Sequence, residues 1–312
     1  MDDDKIEDLD KKKIQRKPGR PRKNLVQLPK PRNGIVLTPS DAKHYIEFLY
    51  DKPLIFKKLW QFFKLLACDK LHLSFLKDSI IIYCSDHHKK SHIRVKINCN
   101  EVNHYYCEKE LDIGLLCKNP ELIMGTIDKS YNSILFLSTQ DNIQKNIEII
   151  LKNDIDIEES HKIELIGEYD KSNNNAKFID EDYKIKFKLS GKYFKKMISD
   201  VKTFSDILNI RQDDKDDNLM IEYIKHDKKI KSLHIMKNSE AINLRSTLEE
   251  DETFRTSVKI DYIKPLSSAL LAESIEIYAD ENKPLKFIIN LDDKCIQICI
   301  LTDIIDQRSE II

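Results

Sequence analysis

Glycine is scarce in this chain, with 6 in 312 residues. Loops that cradle phosphate need glycine because only a bare backbone closes its amides around an anion. The sequence contains no G-x-G-x-x-G, no G-K-[ST] and no G-x-S-x-G, which argues against a nucleotide-dependent enzyme. Long apolar runs are also missing, none approaching the ~18 residues of a membrane span. The first residues, Met1-Asp2-Asp3-Asp4, are acidic where a targeting leader is basic and then apolar. The expectation is an intracellular protein with no membrane partner. The 7 cysteines are odd in number and form no C-x-x-C pair. Most sit in strand-like apolar stretches, as Cys84, Cys99, Cys117, Cys295 and Cys299 do, and read as reduced core residues. Net charge is nearly absent, 52 Lys plus Arg against 53 Asp plus Glu. A nucleic-acid partner must therefore be argued from where the charges sit.

The charges are segregated. Residues 1–10 hold six acids and one lysine, whereas residues 11–32 hold ten Lys or Arg, four prolines and no acid. Residues 1–40 read as a disordered basic arm. Its centre, Arg16-Lys17-Pro18-Gly19-Arg20-Pro21-Arg22-Lys23, resembles an AT-hook. The prolines keep the backbone extended, Gly19 allows close approach, and Arg16, Lys17, Arg20, Arg22 and Lys23 suit a narrow, strongly negative A·T minor groove. A nuclear-targeting signal or a general polyanion-binding tail fits the same residues.

The chain as a whole is 41% hydrophobic, enough for a real core. Its length suits one large domain or two of ~150 residues. Alternation predicts strands over 45–50, 71–75, 79–84, 92–98, 105–110, 133–138 and 146–151, with a helix over 53–67. A short helix is expected over 120–126, with Asn119 as N-cap and Pro120 at its first position. A polar stretch over 167–182 reads as a linker. Beyond it the order recurs: strand 184–189, helix 192–204, further strands, a short helix near 265–272, and strands 274–278, 285–290 and 295–301. The expected division is domain 1 over 41–158, a linker over 159–183 and domain 2 over 184–312.

Residues recur as well. Phe56-Lys57-Lys58-Leu59 with Lys64 returns as Phe194-Lys195-Lys196-Met197 with Lys202, at a constant offset of 138. On a helical wheel Ile55, Phe56, Leu59, Phe62, Phe63 and Leu66 share one face of the first helix, with Lys57, Gln61 and Lys64 opposite. Phe194, Met197, Ile198, Val201 and Phe204 share one face of the second, with Lys195, Ser199 and Lys202 opposite. A solvated face accounts for either helix alone; two helices with one lysine register point to a shared polyanion.

This ordered series resembles the PCNA family of sliding clamps, closest to the divergent clamp-like proteins of nucleocytoplasmic large DNA viruses. The resemblance covers roughly residues 45–305. It rests on helix 53–67 with its approach Asp51-Lys52-Pro53-Leu54-Ile55-Phe56-Lys57, the run Asn103-His104-Tyr105-Tyr106, the 115–126 segment, helix 194–204 and the stretch from Tyr262-Ile263-Lys264-Pro265 to Lys283-Pro284-Leu285-Lys286-Phe287. The implied fold is α+β, the DNA clamp fold: two similar domains of antiparallel sheets with short helices lining a central channel. The implied function is that of a non-enzymatic processivity factor, without cofactor, forming a homo-oligomer, usually a trimer, around double-stranded DNA and tethering DNA polymerase and other replication or repair enzymes. Its compartment is then the host cytoplasm if the protein is viral, with the nucleus as the other option.

The resemblance carries over to residues. Lys57, Lys58 and Lys64 fall on lysine positions of the first helix, Lys195, Lys196 and Lys202 on the repeated face, and Lys264 on the fourth helix, which Pro265 is expected to shorten. In the second helix Glu121 and Met124 stand where lysines are usual, flanked by Lys118 and Lys129. The implied subunit contact pairs strand 145–151, with Ile147, Ile149 and Leu151, against Leu233 and Ile235 of a neighbour. The implied partner-peptide groove takes in Leu165, Ile166, Pro284, Ile300 and Leu301.

Two further groupings invite a metal. Cys84-Ser85-Asp86-His87-His88 with His92 offers several ligands, but adjacent histidines in a strand face opposite ways, so a polar hairpin tip is the better reading. Asp213-Asp214-Lys215-Asp216-Asp217 reads as a solvated turn. No metal site is expected. The functional alternative to a clamp is a minor-groove architectural or transcriptional protein that reads DNA through its arm.

Overall fold

The computed structural model describes residues 44–139, 145–153, 157–166, 178, 182–214, 218–225, 230–237, 239, 242–269, 272–292 and 295–305. The basic arm, with Arg16, Lys17, Arg20, Arg22 and Lys23, lies outside the described residues, as do most of the 167–182 stretch and residues 215–217.

The first half runs β1 (His44–Tyr50), α1 (Pro53–Leu65), β2 (Lys70–Phe75), β3 (Ser79–Ser85), β4 (Ser91–Asn98), β5 (His104–Cys107), β6 (Leu111–Leu116), α2 (Lys118–Thr126), β7 (Tyr131–Thr139), β8 (Asn146–Asn153) and β9 (Glu158–Glu164). The second half repeats that order: β10 (Ile185–Ser190), α3 (Gly191–Phe204), β11 (Ile207–Gln212), β12 (Leu219–Lys225), β13 (Ile230–Met236), β14 (Arg245–Ser246), β15 (Phe254–Lys259), α4 (Ile260–Ala269), β16 (Ser274–Ala279), β17 (Leu285–Leu291) and β18 (Ile296–Thr302).

Helix α1 forms because Pro53 presets the first turn and apolar residues recur at helical spacing. Phe56, Leu59, Trp60, Phe62 and Phe63 are all buried. Phe56 meets Phe48 edge-on at 5.6 Å and packs against Trp60 at 6.1 Å, so one aromatic cluster locks the helix onto β1. Helix α3 is capped by Ser190, whose hydroxyl accepts from the Tyr193 amide at 3.1 Å. At its first residue Gly191 donates to the Glu273 carbonyl at 2.8 Å. A Cβ there would stand 2.0 Å from the Ala272 carbonyl oxygen, so only glycine allows this approach.

Two helix starts differ from the sequence reading. Helix α2 begins at Lys118, after Cys117 in helical backbone with no side-chain cap, instead of at an Asn119 cap. Helix α4 begins at Ile260, so Pro265 falls inside it and does not open it. Burial of Ile260, Ile263 and Leu266 outweighs the one backbone hydrogen bond that proline withholds. Alternation also fails to announce strands β6 and β9. Asp112 and Gly114 interrupt the pattern in β6, and in β9 only Ile163 is buried. The expected linker start at 159 is therefore corrected, because residues 158–164 are sheet.

The strands form three antiparallel sheets in the orders β5-β1-β7-β8-β9, β14-β10-β16-β17-β18-β4-β3-β2-β6 and β13-β12-β11-β15. The nine-stranded sheet is a junction of the two halves. The last strand of the second half, β18, pairs with β4 of the first, from Ile296↔Ile97 to Thr302↔Ser91. Tyr50 and Lys52 both reach Asp292, in the β17–β18 turn, across the same junction. Helix α1 packs against α2 and α4, and α4 against α3, giving one helical layer over the sheets.

Candidate nucleic-acid and subunit interfaces

The helical layer gathers the lysines that the repeat singled out. On α1, Lys57 sends its ammonium to the carbonyls of Gly125 and Ile127, at 3.0 and 2.6 Å. It thereby satisfies groups left unpaired at the end of α2, where a cation also suits the helix dipole. Lys64 pairs with Glu121 of α2 at 2.5 Å. The outer stripe of α1 consists of Leu54, half-buried Lys58, Gln61 and Leu65. On α2, Met124 is buried in the core and does not face the layer's surface, while Leu122 stands 74% exposed. Helix α3 differs: Lys192, Lys195 and Lys196 are exposed, with Ser199 and Thr203 on the same side. The side chains of Lys202 and Phe204 lie outside the described residues. On α4, Lys264 is half-buried, and Asp261 of the same helix is exposed.

The expected edge strand is corrected by the sheet order. β8, which carries Ile147, Ile149 and Leu151, is an inner strand paired with β7 on one side and β9 on the other. Its three apolar side chains point into the core, each at most 1% exposed. Beyond β8 the sheet ends in β9, with β5 at its other end. On the other half, β13, which carries Leu233 and Ile235, is paired only with β12 among the described residues and ends the four-stranded sheet. Exposed large apolar residues mark both places: Ile157, just before β9, is 50% exposed, and Ile235 is 56% exposed.

The expected peptide groove is not assembled as one site. Ile166 bridges to Gly114 on β6, at one end of the nine-stranded sheet. Leu165 packs against the main core, and Ile300 on β18 is fully buried in it. The Pro284 carbonyl accepts from the Tyr183 hydroxyl at 3.2 Å. Ile166 and Ile300 are separated by the strands β4, β3, β2 and β6, which places them on the order of 20–25 Å apart at the usual strand spacing. Leu301 sits in an outer cluster, with Tyr83, Cys299 and Phe178. Phe178 was missed by sequence reading, although it is an aromatic residue in a stretch otherwise rich in Asn, Lys and Asp. Its ring is buried, and the Arg94 guanidinium lies over it at 5.2 Å.

Two of the acids weighed for metal binding, Asp86 and Asp213, are engaged elsewhere. The Asp86 carboxylate accepts from the Lys90 and Ser91 amides, both at 2.7 Å, and so closes the β3–β4 hairpin. Asp213 pairs with Arg211 at 2.9 Å. No group of three metal-binding side chains occurs among the described residues. Among the same residues, no helix is long and apolar enough to cross a membrane.

A repeated half with two sheets and a shared helical layer is a specific arrangement, and a solved structure matches it. The proliferating cellular nuclear antigen of Entamoeba histolytica superposes with a TM-score of 0.69, over 84% of this chain and 99% of that one, at 13% identity. The chain has the PCNA fold. It is α+β, a DNA clamp fold of two similar halves. No family model matches the sequence. Among curated proteins it is similar to an uncharacterized protein of African swine fever virus. In the Pig/Kenya/KEN-50 and Warthog/Namibia/Wart80 isolates alike, the identity is 29% over 287 residues, covering 89% of this chain and 94% of the relative. The PCNA fold thus reaches this chain through structure, and the viral likeness through sequence.

Proposed function

We propose that this protein is a virus-encoded DNA sliding clamp, a non-enzymatic processivity factor whose subunits close into a trimeric ring around double-stranded DNA. It tethers DNA polymerase and other replication or repair enzymes without reading base sequence. The observation that carries the reading is an unpaired copy of the chain's own junction. Inside the chain β18 pairs with β4. Moving back by the repeat offset of 138 turns β18 (296–302) into β9 (158–164), and moving forward turns β4 (91–98) into residues 229–236, which contain β13. Both counterparts end a sheet among the described residues, on opposite halves of the molecule.

A β9 strand of one subunit pairing with β13 of the next repeats the internal junction and generates a head-to-tail contact, which closes into a ring. By the same offset Ile157 corresponds to Cys295 and Ile235 to Ile97, both buried at the internal junction at 2% and 1% exposure. Ring closure covers the two exposed isoleucines in the same way and closes these two edges, β9 and β13, to aggregation. The helical layer then faces inward, and its lysines contact phosphates, which hold DNA without specifying sequence.

The register follows from Ile296↔Ile97: Glu158 faces Ile235 of the neighbour, and Ser160 faces Leu233. The test is light scattering over a concentration series combined with oxidation of a Ser160→Cys, Leu233→Cys double variant. A mass near three times 36.7 kDa and cross-linked ladders ending at a trimer support the reading. A monomer at every concentration favours the architectural alternative, in which the AT-hook-like arm is the reader. The curated proteins similar in sequence are viral, and a viral clamp acts where viral DNA is copied, in the host cytoplasm or the nucleus.

A further inference from the structure

The two halves of the chain use their helix lysines differently. The repeat gives α1 and α3 the same lysine register, yet the first-half pair is occupied. Lys57 donates to two carbonyls at the end of α2, and Lys64 is neutralised by Glu121. Around them the exposed positions include Leu54, Gln61, Leu65 and Leu122; the remaining cations are half-buried Lys58, exposed Lys118 at the start of α2, and exposed Lys129 just beyond its end, which follows the exposed acid Asp128. On α3, Lys192, Lys195 and Lys196 stand on one side at spacings of three and four residues, all exposed. The one acid on that helix is Asp200, a turn further on. None of the three lysines makes an ion pair among the described residues.

We propose that phosphate contact inside the ring is carried by the second half of each subunit, through Lys192, Lys195 and Lys196 of α3. The first half presents a surface that DNA passes without pairing. This rests on the clamp reading and assigns its charge. Moving Lys57 to a phosphate exchanges two good hydrogen bonds for one contact and strips the end of α2. Moving Lys64 leaves Glu121 facing a polyanion. The α3 lysines have neither cost. In a trimer the inner wall then alternates three binding strips with three near-neutral ones.

The experiment compares a Lys195→Gln, Lys196→Gln variant of α3 with a Lys57→Gln, Lys64→Gln variant of α1, which removes the two engaged lysines of the first half, both as full-length chains. Binding to a short linear duplex is measured against salt. Each lost phosphate contact lowers the slope of log K against log salt by about 0.9. The α3 variant is expected to lose close to two such steps and about tenfold in affinity at moderate salt. The α1 variant is expected to keep the wild-type slope while melting at lower temperature. Should loss of the Lys57 contacts unfold α1 and α2, Glu121→Gln answers the same question: it frees Lys64 and steepens the slope. Equal slope losses in the two double variants, or none in the α3 variant, overturn the proposal. Wild-type protein that binds the duplex but is not retained on circular DNA overturns the clamp reading separately.

Discussion

Lys57 shows how a single residue can be read correctly for type and incompletely for role. Its position opposite an apolar face is plain in the sequence, but the carbonyls it serves belong to residues about seventy positions away, and only the packing of α1 on α2 brings them together. Lys57→Met should lower stability by about 1 kcal/mol through loss of this capping contact, measured by denaturant titration. The cysteines were legible because apolar flanks report burial directly. Burial raises the Cys117 thiol to about 12, helped by the charges of Cys68, Glu121 and Asp69. Burial likewise raises the Cys295 thiol to about 11, with Asp292 adding to it. A thiol held that high is a poor nucleophile at neutral pH. Among the cysteines only Cys107 is partly exposed, so a native-state thiol-labelling assay should find at most one slowly reacting group, against 7 after denaturation. Glu252 supplies a pH test. Its hydrogen bond with Lys184 holds the carboxyl below the usual range. It therefore contributes stability at neutral pH that is lost as pH falls through its folded value. Glu252→Gln should flatten the acid limb of a melting-temperature profile.

At the scale of elements, periodicity revealed the strands and helices with strong apolar alternation, and missed those whose pairing is set from outside. β9 reads Glu-Glu-Ser-His-Lys-Ile-Glu and has almost no apolar face, yet it is a full strand because β8 supplies a ladder for it. That one strand moves the free edge away from Ile147, Ile149 and Leu151, whose apolar alternation belongs to an inner strand. The start of α4 was misplaced for a related reason: proline is a strong local signal, but tertiary burial of the preceding turn overrides it. Gly191 gives the matching prediction. Gly191→Ala forces the backbone away from Ala272 and should lower the melting temperature, whereas Gly125→Ala meets nothing within 4 Å and should be neutral or stabilising. Ile235→Lys places a charge where the neighbour's edge is proposed to pair, and should shift the light-scattering mass from trimer to monomer while leaving the circular dichroism spectrum unchanged.

For the whole molecule, the repeat is the property from which the rest follows. A constant offset of 138 was visible in two helices, and it extends to the sheets, where it relates one paired junction to two sheet-ending strands. Near-zero net charge is compatible with a DNA partner on this plan, since basic residues concentrate in residues 11–32 and on α3, while acids collect in residues 1–10 and in turns. The peptide groove was the least legible feature, because a groove is assembled from strand ends whose order no sequence pattern states. The central claim is topological enclosure of DNA, and retention on closed circles at salt high enough to abolish phosphate contacts measures it most directly. The account predicts that protein assembled on circular DNA remains bound at that salt and is released once the same DNA is cut to a linear form. Equal loss from circular and linear DNA would contradict it.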